Sequence, residues 1–411
     1  MIFGAFAIFF TGYPHVWSIY QPYVMEQAGW SQGQASMCFY LALSTFVFGN
    51  IVGGRMQNCF KEKTIVWIGG GIFAAGILAS AFLIVPTPLP MYLSYGVMQG
   101  FGQGMIYTVI LATVQRWFPD RTGFASGVVV TANGLCGFFL APLSRKLLEA
   151  EGVQKTFLII GAAIAVSWIL CGIFFQAPDK RLVNAGGSAA KSGTSEMKQY
   201  TSGEMMRTRN FYLLLATMFF GLISYFMVSP VSQTYQIDLG IPSAVAVSAV
   251  MLGSIVNAGA RLVLPTLADK VGRIVCIKGV LIVAVIAMGV LAVSRSLAVT
   301  VAVVLMYGCY GGIMGSFPSL TSSIFGMKHT GENYGFVMFG IVFATFGAPA
   351  ISGLVSSKGY EMNVVFGIGA VFAVIAFVCL TLLGRNLVKE HAEKSAGVKN
   401  DTAQVSKPQA E

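Results

Sequence analysis

The feature that most confines this chain is a succession of long apolar stretches. They lie near residues 2–24, 33–55, 64–85, 89–115, 123–145, 154–176, 210–235, 243–266, 274–294, 297–323, 332–356 and 362–384. A helix crossing a bilayer needs about 20 mostly apolar residues, and each stretch is long enough to be one. With 55% hydrophobic and only 10% charged residues, the chain falls far below the roughly one-quarter charge of soluble domains. Its 48 glycines suit closely packed membrane helices, which meet through small residues. The expected fold class is an all-α membrane protein of about twelve transmembrane helices. No cleavable signal is evident, since the first stretch runs on through Pro14 and Trp17 to Tyr20.

A net charge of +10 would point to nucleic acid in a soluble protein, but here it follows topology. With both termini on the cytoplasmic side, the 26 Lys and Arg fall on that side with six exceptions: Arg145, Lys146, Lys155, Arg295, Lys358 and the deep Arg261. That bias is the positive-inside rule, and the opposite orientation would violate it. The expectation is a multi-pass protein of a bacterial-type inner membrane with both termini cytoplasmic. No nucleic acid partner is needed.

The longest internal polar interval, 177–209, divides the chain into a half at 1–176 and a half at 210–384, and 385–411 forms a tail. The stretch 185–195 reads as flexible linker, Tyr200 to Arg207 as a short amphipathic helix on the membrane surface, and the chain beyond about Lys389 as disordered. A repeat at an offset of about 210 joins the halves. Gly123-Phe-Ala-Ser-Gly127 opens span 5 as Gly331-Glu-Asn-Tyr-Gly335 opens span 11, and Gly100, Gly102 and Gly104 of span 4 parallel Gly311, Gly312 and Gly315 of span 10. Two parallel repeats of six helices are the layout of the major facilitators, whose binding site lies at the midplane between the halves.

Leu267-Ala-Asp-Lys-Val-Gly-Arg273 occupies the short loop between spans 8 and 9. Gly272 permits a tight turn. Asp269 is suited to accept hydrogen bonds from a helix end and from an arginine, with Lys270 and Arg273 beside it. The string resembles the major facilitator loop signature and implies a conformational latch. Its first-half counterpart, Gly54 to Lys61, has Asn58 where the acid belongs, so that latch is expected to be weaker or reorganised. Arg116-Trp-Phe-Pro-Asp-Arg-Thr-Gly-Phe-Ala-Ser-Gly127, Gly12-Tyr-Pro-His-Val-Trp-Ser-Ile-Tyr20, and Ile324-Phe-Gly326 with Asn333-Tyr-Gly335 together resemble the oxalate:formate antiporter branch. That branch is related to the monocarboxylate transporters. The resemblance runs from span 1 to span 12 and implies transport of a small organic anion, by antiport or symport with a proton or counter-anion.

Among the charged residues only Arg261 lies deep in a span, eight residues before Asp269, or roughly 12 Å into the bilayer. An unpaired arginine there costs at least ~2.5 kcal/mol, and no acidic residue of the spans is near enough in sequence to neutralise it. Either the guanidinium snorkels or donates to carbonyls, or its planar fork holds a carboxylate brought from outside. The resemblance favours the second, because its members anchor a carboxylate on an arginine at this spacing. Asn257, one turn earlier, shares its face. Monocarboxylate transporters often carry an aspartate there, linked to proton coupling, which puts that route in doubt here. The oxalate-carrying members place a lysine in span 11 where this chain has Ile341, so a monocarboxylate is the simpler charge match. The resemblance also directs Tyr107, Tyr310 and His15 at the pore. Tyrosine supplies an apolar ring with a hydroxyl donor. A buried histidine is either a satisfied structural group or a charge switch near neutral pH. Trp17 reads as packing, and Gln103 and Gln115 as helix-contact polar groups.

Other functions fit less well. Carriers of cationic drugs usually need a buried acid, and the spans hold none; sugar carriers usually show more polar side chains. A non-transporting sensor has no signalling domain to work through. Neither a nucleophile–base pair, a metal cluster nor a phosphate loop appears, so neither an enzyme nor a cofactor is expected. A single chain completes the path, so a functional monomer is expected.

Overall fold

The computed structural model describes residues 2–176 and 199–405; of these, the side chains of Ile2, Phe3, His15, Gln32, Ser243 and 391–405 fall outside the description. The described residues are helical throughout, with no strand among them. Ten helical stretches are long and apolar enough to cross a membrane. Two local features raise that to the twelve spans expected. The stretch Thr122–Phe174 is broken at Gly152, whose φ of 76° turns the chain and makes it spans 5 and 6. Span 1 is interrupted: Ile2–Phe10 and Trp17–Ala28 are joined by a 3₁₀ turn at Tyr13–Val16 containing Pro14. Proline removes a backbone donor and clashes with the preceding turn, which breaks what looked like one continuous helix.

The remaining spans follow in order. Span 2 is Gln32–Met56, span 3 Glu62–Ser80, and span 4 Leu89–Trp117, which includes a π-helical segment at Tyr92–Gln99. After 177–198, which lie outside the described residues, span 7 is Arg209–Asp238, span 8 Ser243–Val271, span 9 Arg273–Val293, span 10 Ala298–Phe325 and span 11 Thr330–Ser357. Span 12 begins at Met362 and continues to Val405. Beyond Lys389 the same helix runs on to Val405, through a Lys-, Glu- and Ala-containing sequence with no proline before Pro408. The short helix expected on the membrane surface is instead Ser202–Met206, docked on the bundle. Met205 is buried, Tyr200 N–H donates to Phe325 O at 2.9 Å, and Ser202 Oγ donates to Asn333 Oδ1 at 2.8 Å.

Glycines set the closest approaches between spans. A Cβ at Gly104 of span 4 would lie 2.0 Å from Phe46 O and 2.8 Å from Asn50 N of span 2. In the second half, a Cβ at Gly311 would lie 2.2 Å from Asn257 O, and one at Gly315 would lie 2.7 Å from Arg261 O. Phe46 and Asn257, Asn50 and Arg261, and Gly104 and Gly315 are each 211 residues apart. The repeat seen in sequence is thus a repeat of packing, and it brings Asn50 and Arg261 to equivalent places in the two halves.

Candidate functional site

Arg261 is 2% exposed, and no acidic side chain pairs with it among the described residues. Its Nε donates to Asn257 Oδ1 at 3.1 Å, one turn back on the same helix. Its Nη1 donates to Asn133 Oδ1 at 2.7 Å and, more weakly, to Val130 O at 3.4 Å, both on span 5 of the other half. The side chain reaches span 5 past Gly134, where a Cβ would lie 3.1 Å from Arg261 Cδ. Its guanidinium carbon lies 5.4 Å from the Tyr310 ring centroid, within range of a cation–π contact. Tyr310 in turn stacks on Tyr225, with centroids 4.2 Å apart and planes 13° apart, and Tyr307 meets Tyr225 edge-on. An aromatic wall of spans 7 and 10 thus backs the charge.

Opposite stand Tyr107 of span 4 and Tyr334 of span 11, one from each half, both within electrostatic reach of Arg261. Both hydroxyls are buried and lie near one another, with no other partner at bonding distance. Phe46 packs edge-on against the Tyr107 ring at 5.2 Å. Of the pore residues taken from the sequence, Arg261, Asn257, Tyr310 and Tyr107 come together here; the His15 side chain lies outside the described residues. Ile341 is buried.

Sequence reasoning missed Asn133, Thr11, Tyr225 and Tyr334. Asn133 Nδ2 donates to Thr11 Oγ1 at 3.0 Å, and Thr11 Oγ1 donates to Ile8 O at 2.6 Å. Thr11 stands where span 1 breaks, and Gln103 Nε2 of span 4 donates to its carbonyl. Gln99 Nε2 donates to Gln103 Oε1 at 2.7 Å. A polar line therefore runs Arg261–Asn133–Thr11–Gln103–Gln99, through spans 8, 5, 1 and 4. Gly12, a residue further on, presses against span 5: a Cβ there would lie 2.2 Å from Asn133 O. The signal available in sequence was a polar residue inside span 5 beside Gly134, facing a helix interrupted at Gly12 and Pro14.

The halves also meet at the end of the bundle that carries the Asp269 loop. Gly272 takes φ 105° and turns span 8 directly into span 9, a conformation that favours glycine. This places Asp269 at the start of span 5, where it accepts from Gly123 N–H at 3.2 Å and Phe124 N–H at 3.0 Å. Arg273 bridges Asp269 Oδ1 at 3.1 Å and Thr122 Oγ1 at 3.0 Å. A carboxylate at a helix N-terminus meets unsatisfied N–H groups and the positive end of the helix dipole. Lys270 is exposed at the end of span 8. The first half closes differently. Asn58 is exposed, with its side chain outside the contact; Arg55 Nε instead pairs with Glu332 Oε1 at 2.6 Å across the halves. Thr108 Oγ1 donates to Gly331 O at 3.0 Å, and Arg116 ties Glu62 to Gln57 within the first half. Asn58 lacks the negative charge that Asp269 brings to a helix dipole and an arginine, and the Glu332 carboxylate approaches from the other side of the interface.

Comparison with known proteins agrees with this architecture. The Major Facilitator Superfamily model matches residues 1–344. The chain is 26% identical over 377 residues to the oxalate:formate antiporter of Oxalobacter formigenes, covering 91% of this chain and 88% of that protein. It is 28% identical over 230 residues to human monocarboxylate transporter 11, covering 56% and 47%. Among solved structures, the transporter FucP in its outward conformation superposes with a TM-score of 0.69 at 14% identity, covering 93% and 98%. Members of this family are transporters and not enzymes. The span order, the paired halves and the family match together show that this chain is a multi-pass membrane transporter and belongs to the major facilitator superfamily.

Proposed function

We propose that this transporter is a secondary carrier of small monocarboxylates, such as lactate, pyruvate or formate, working by alternating access with Arg261 as the carboxylate anchor. The observation that carries this is the buried guanidinium without an acidic partner among the described residues. A lone cation at this depth is costly. An anion supplied from solution neutralises it and gains charge-assisted hydrogen bonds. Tyr107 and Tyr334, whose buried hydroxyls have no other partner at bonding distance and lie near one another, supply donors for the second carboxylate oxygen, and Tyr310 walls the apolar side. Asn257 orients the fork through Nε; as an amide it has no group that titrates at physiological pH, which argues against proton symport through that position.

The sidedness follows the basic bias of the loops. The Asp269 loop, both termini and the docked helix Ser202–Met206 lie on the cytoplasmic side of a bacterial-type inner membrane. That end is held shut by Asp269 and by Arg55–Glu332. The names of the relatives, one an oxalate:formate antiporter and one a monocarboxylate transporter, support an organic anion as cargo. A second reading, oxalate:formate exchange, draws on the relative matched over 88% of its length. Against it stands Ile341, which offers no second cation for a second carboxylate. The test is counterflow in vesicles loaded in turn with lactate, pyruvate, formate, acetate, glycolate and oxalate. A monocarboxylate is expected to exchange fastest. Fastest exchange of oxalate would establish the second reading, and no exchange of any by folded protein would refute both.

A further inference from the structure

Arg261 belongs to one half, yet both acceptors on its Nη1 belong to the other. Asn133 Oδ1 lies at 2.7 Å and Val130 O at 3.4 Å, both on span 5. The Asn257 acceptor sits on the same helix as the arginine and travels with it in any conformation. The Asn133 bond exists only while spans 5 and 8 lie together. Those are the spans that Asp269 fastens at the loop end, so they part when that end opens. Asn133 is also held in orientation. Its Nδ2 is committed to Thr11 Oγ1, Thr11 is itself fixed through Ile8 O and Gln103, and rotating the amide would turn an NH₂ toward a guanidinium. Its oxygen is therefore presented to the arginine as a built acceptor from across the interface.

We propose that Asn133 restrains the empty carrier: its amide oxygen occupies Nη1 of Arg261 until a carboxylate takes that place, so a bound anion is what lets span 8 leave span 5. This rests on the carboxylate-carrier reading above and adds the mode of coupling. In the empty protein, parting spans 5 and 8 strips Nη1 of both acceptors before water reaches the buried site, and a buried charged donor left unpaired is costly. With a carboxylate on the fork, the acceptor moves with the arginine and the bond is never missing. A neutral amide is the suitable competitor, since a charged-to-neutral hydrogen bond is weaker than the charge-assisted pair that displaces it. The consequence is exchange much faster than net movement, because the loaded carrier reorients and the empty one does not.

The experiment uses the full-length protein in vesicles loaded with radiolabelled lactate, with efflux followed into buffer with and without external lactate. For the unaltered protein, exchange is expected to exceed net efflux by about tenfold or more, the factor that one charged hydrogen bond supplies. Asn133→Ala should raise net efflux about tenfold relative to exchange, so that the ratio falls toward one. Asn133→Asp should act oppositely: a resident carboxylate on Nη1 weakens lactate binding by more than about tenfold and suppresses exchange. Thr11→Val unpins the amide without touching the arginine and should shift the ratio in the direction of the alanine variant by less. This keeps the test informative if Asn133→Ala does not fold. An unchanged ratio in Asn133→Ala or Thr11→Val with exchange intact would overturn the proposal, as would equal exchange and net efflux in the unaltered protein; both outcomes leave the carrier reading standing. An unaltered protein that moves no carboxylate in either mode would refute the carrier reading and this proposal with it.

Discussion

The two halves of this transporter are alike in packing and unlike in chemistry. At Asn50 and Arg261, a span of each half presses against a glycine of its neighbour, Gly104 in one case and Gly315 in the other. Yet Asn50 turns inward, with Nδ2 bonded to its own helix at Phe46 O, 2.7 Å away, and its Oδ1 unpaired. Arg261 reaches out of its helix and across to the other half. The same split appears at the loops. Asp269 caps span 5 from below, while Asn58 stands exposed and Arg55–Glu332 closes that side instead. Backbone proximity, set by glycine, has been kept in both halves, whereas charge has been concentrated in the second. Close packing constrains every residue along the seam, but one cation suffices to read one carboxylate.

The largest expected difference between the halves is in transport. Arg261→Gln should reduce lactate or pyruvate exchange by more than about thirtyfold, the scale of removing one member of a buried charged pair, whereas Asn50→Ala should leave it within about threefold; comparable losses in both would erase the asymmetry. Packing should show the reverse pattern. Gly104→Ala and Gly315→Ala each drive a Cβ against the backbone of the neighbouring helix, 2.0 and 2.7 Å from a carbonyl oxygen. Each should lower stability by about 1–3 kcal/mol, read by thermal unfolding in detergent. Loss confined to one of them would show that the packing is not shared.

Next comes the latch. Asp269→Asn keeps the shape and removes the charge at the start of span 5, and should weaken loop-end closure by about 1 kcal/mol, read as the distance distribution between spin labels on the two halves. Asn58→Ala should leave that distribution unchanged, since its side chain is exposed. Smallest is Glu332→Gln. Its partner Arg55 is 61% exposed, so solvent screening holds the pair to less than about 1 kcal/mol, and the shift toward opening should shrink further in high salt.

Much of this was legible in the sequence because it depends on local rules. Apolar length gives the spans, the glycine of a Asp-Lys-x-Gly-Arg string gives the turn that Gly272 makes, and one deep arginine stands out in a chain with so few charges. What stayed hidden depends on pairing at a distance. Asn133 is separated from Arg261 by 128 positions, and nothing local marks it as that residue's acceptor. Glu332 looked like a residue at a span end; its partner Arg55 lies 277 positions away. The break in span 1 was signalled by Gly12 and Pro14, but apolar continuity on either side concealed it. The helix Ser202–Met206 reads as amphipathic for a membrane surface, and its apolar Met205 is buried against the bundle instead. Amphipathicity reports that a face is covered without saying by what.

The central claim is that Arg261, a buried charge with no acidic partner among the described residues, exists to receive a carboxylate. Titration calorimetry of the purified protein with lactate, pyruvate and formate, repeated on folded Arg261→Gln, tests it most directly. The expected result is saturable binding of at least one monocarboxylate by the unaltered protein and none by the variant at the same concentrations. Equal affinity in the two proteins would show that the arginine serves the fold alone and would contradict the account.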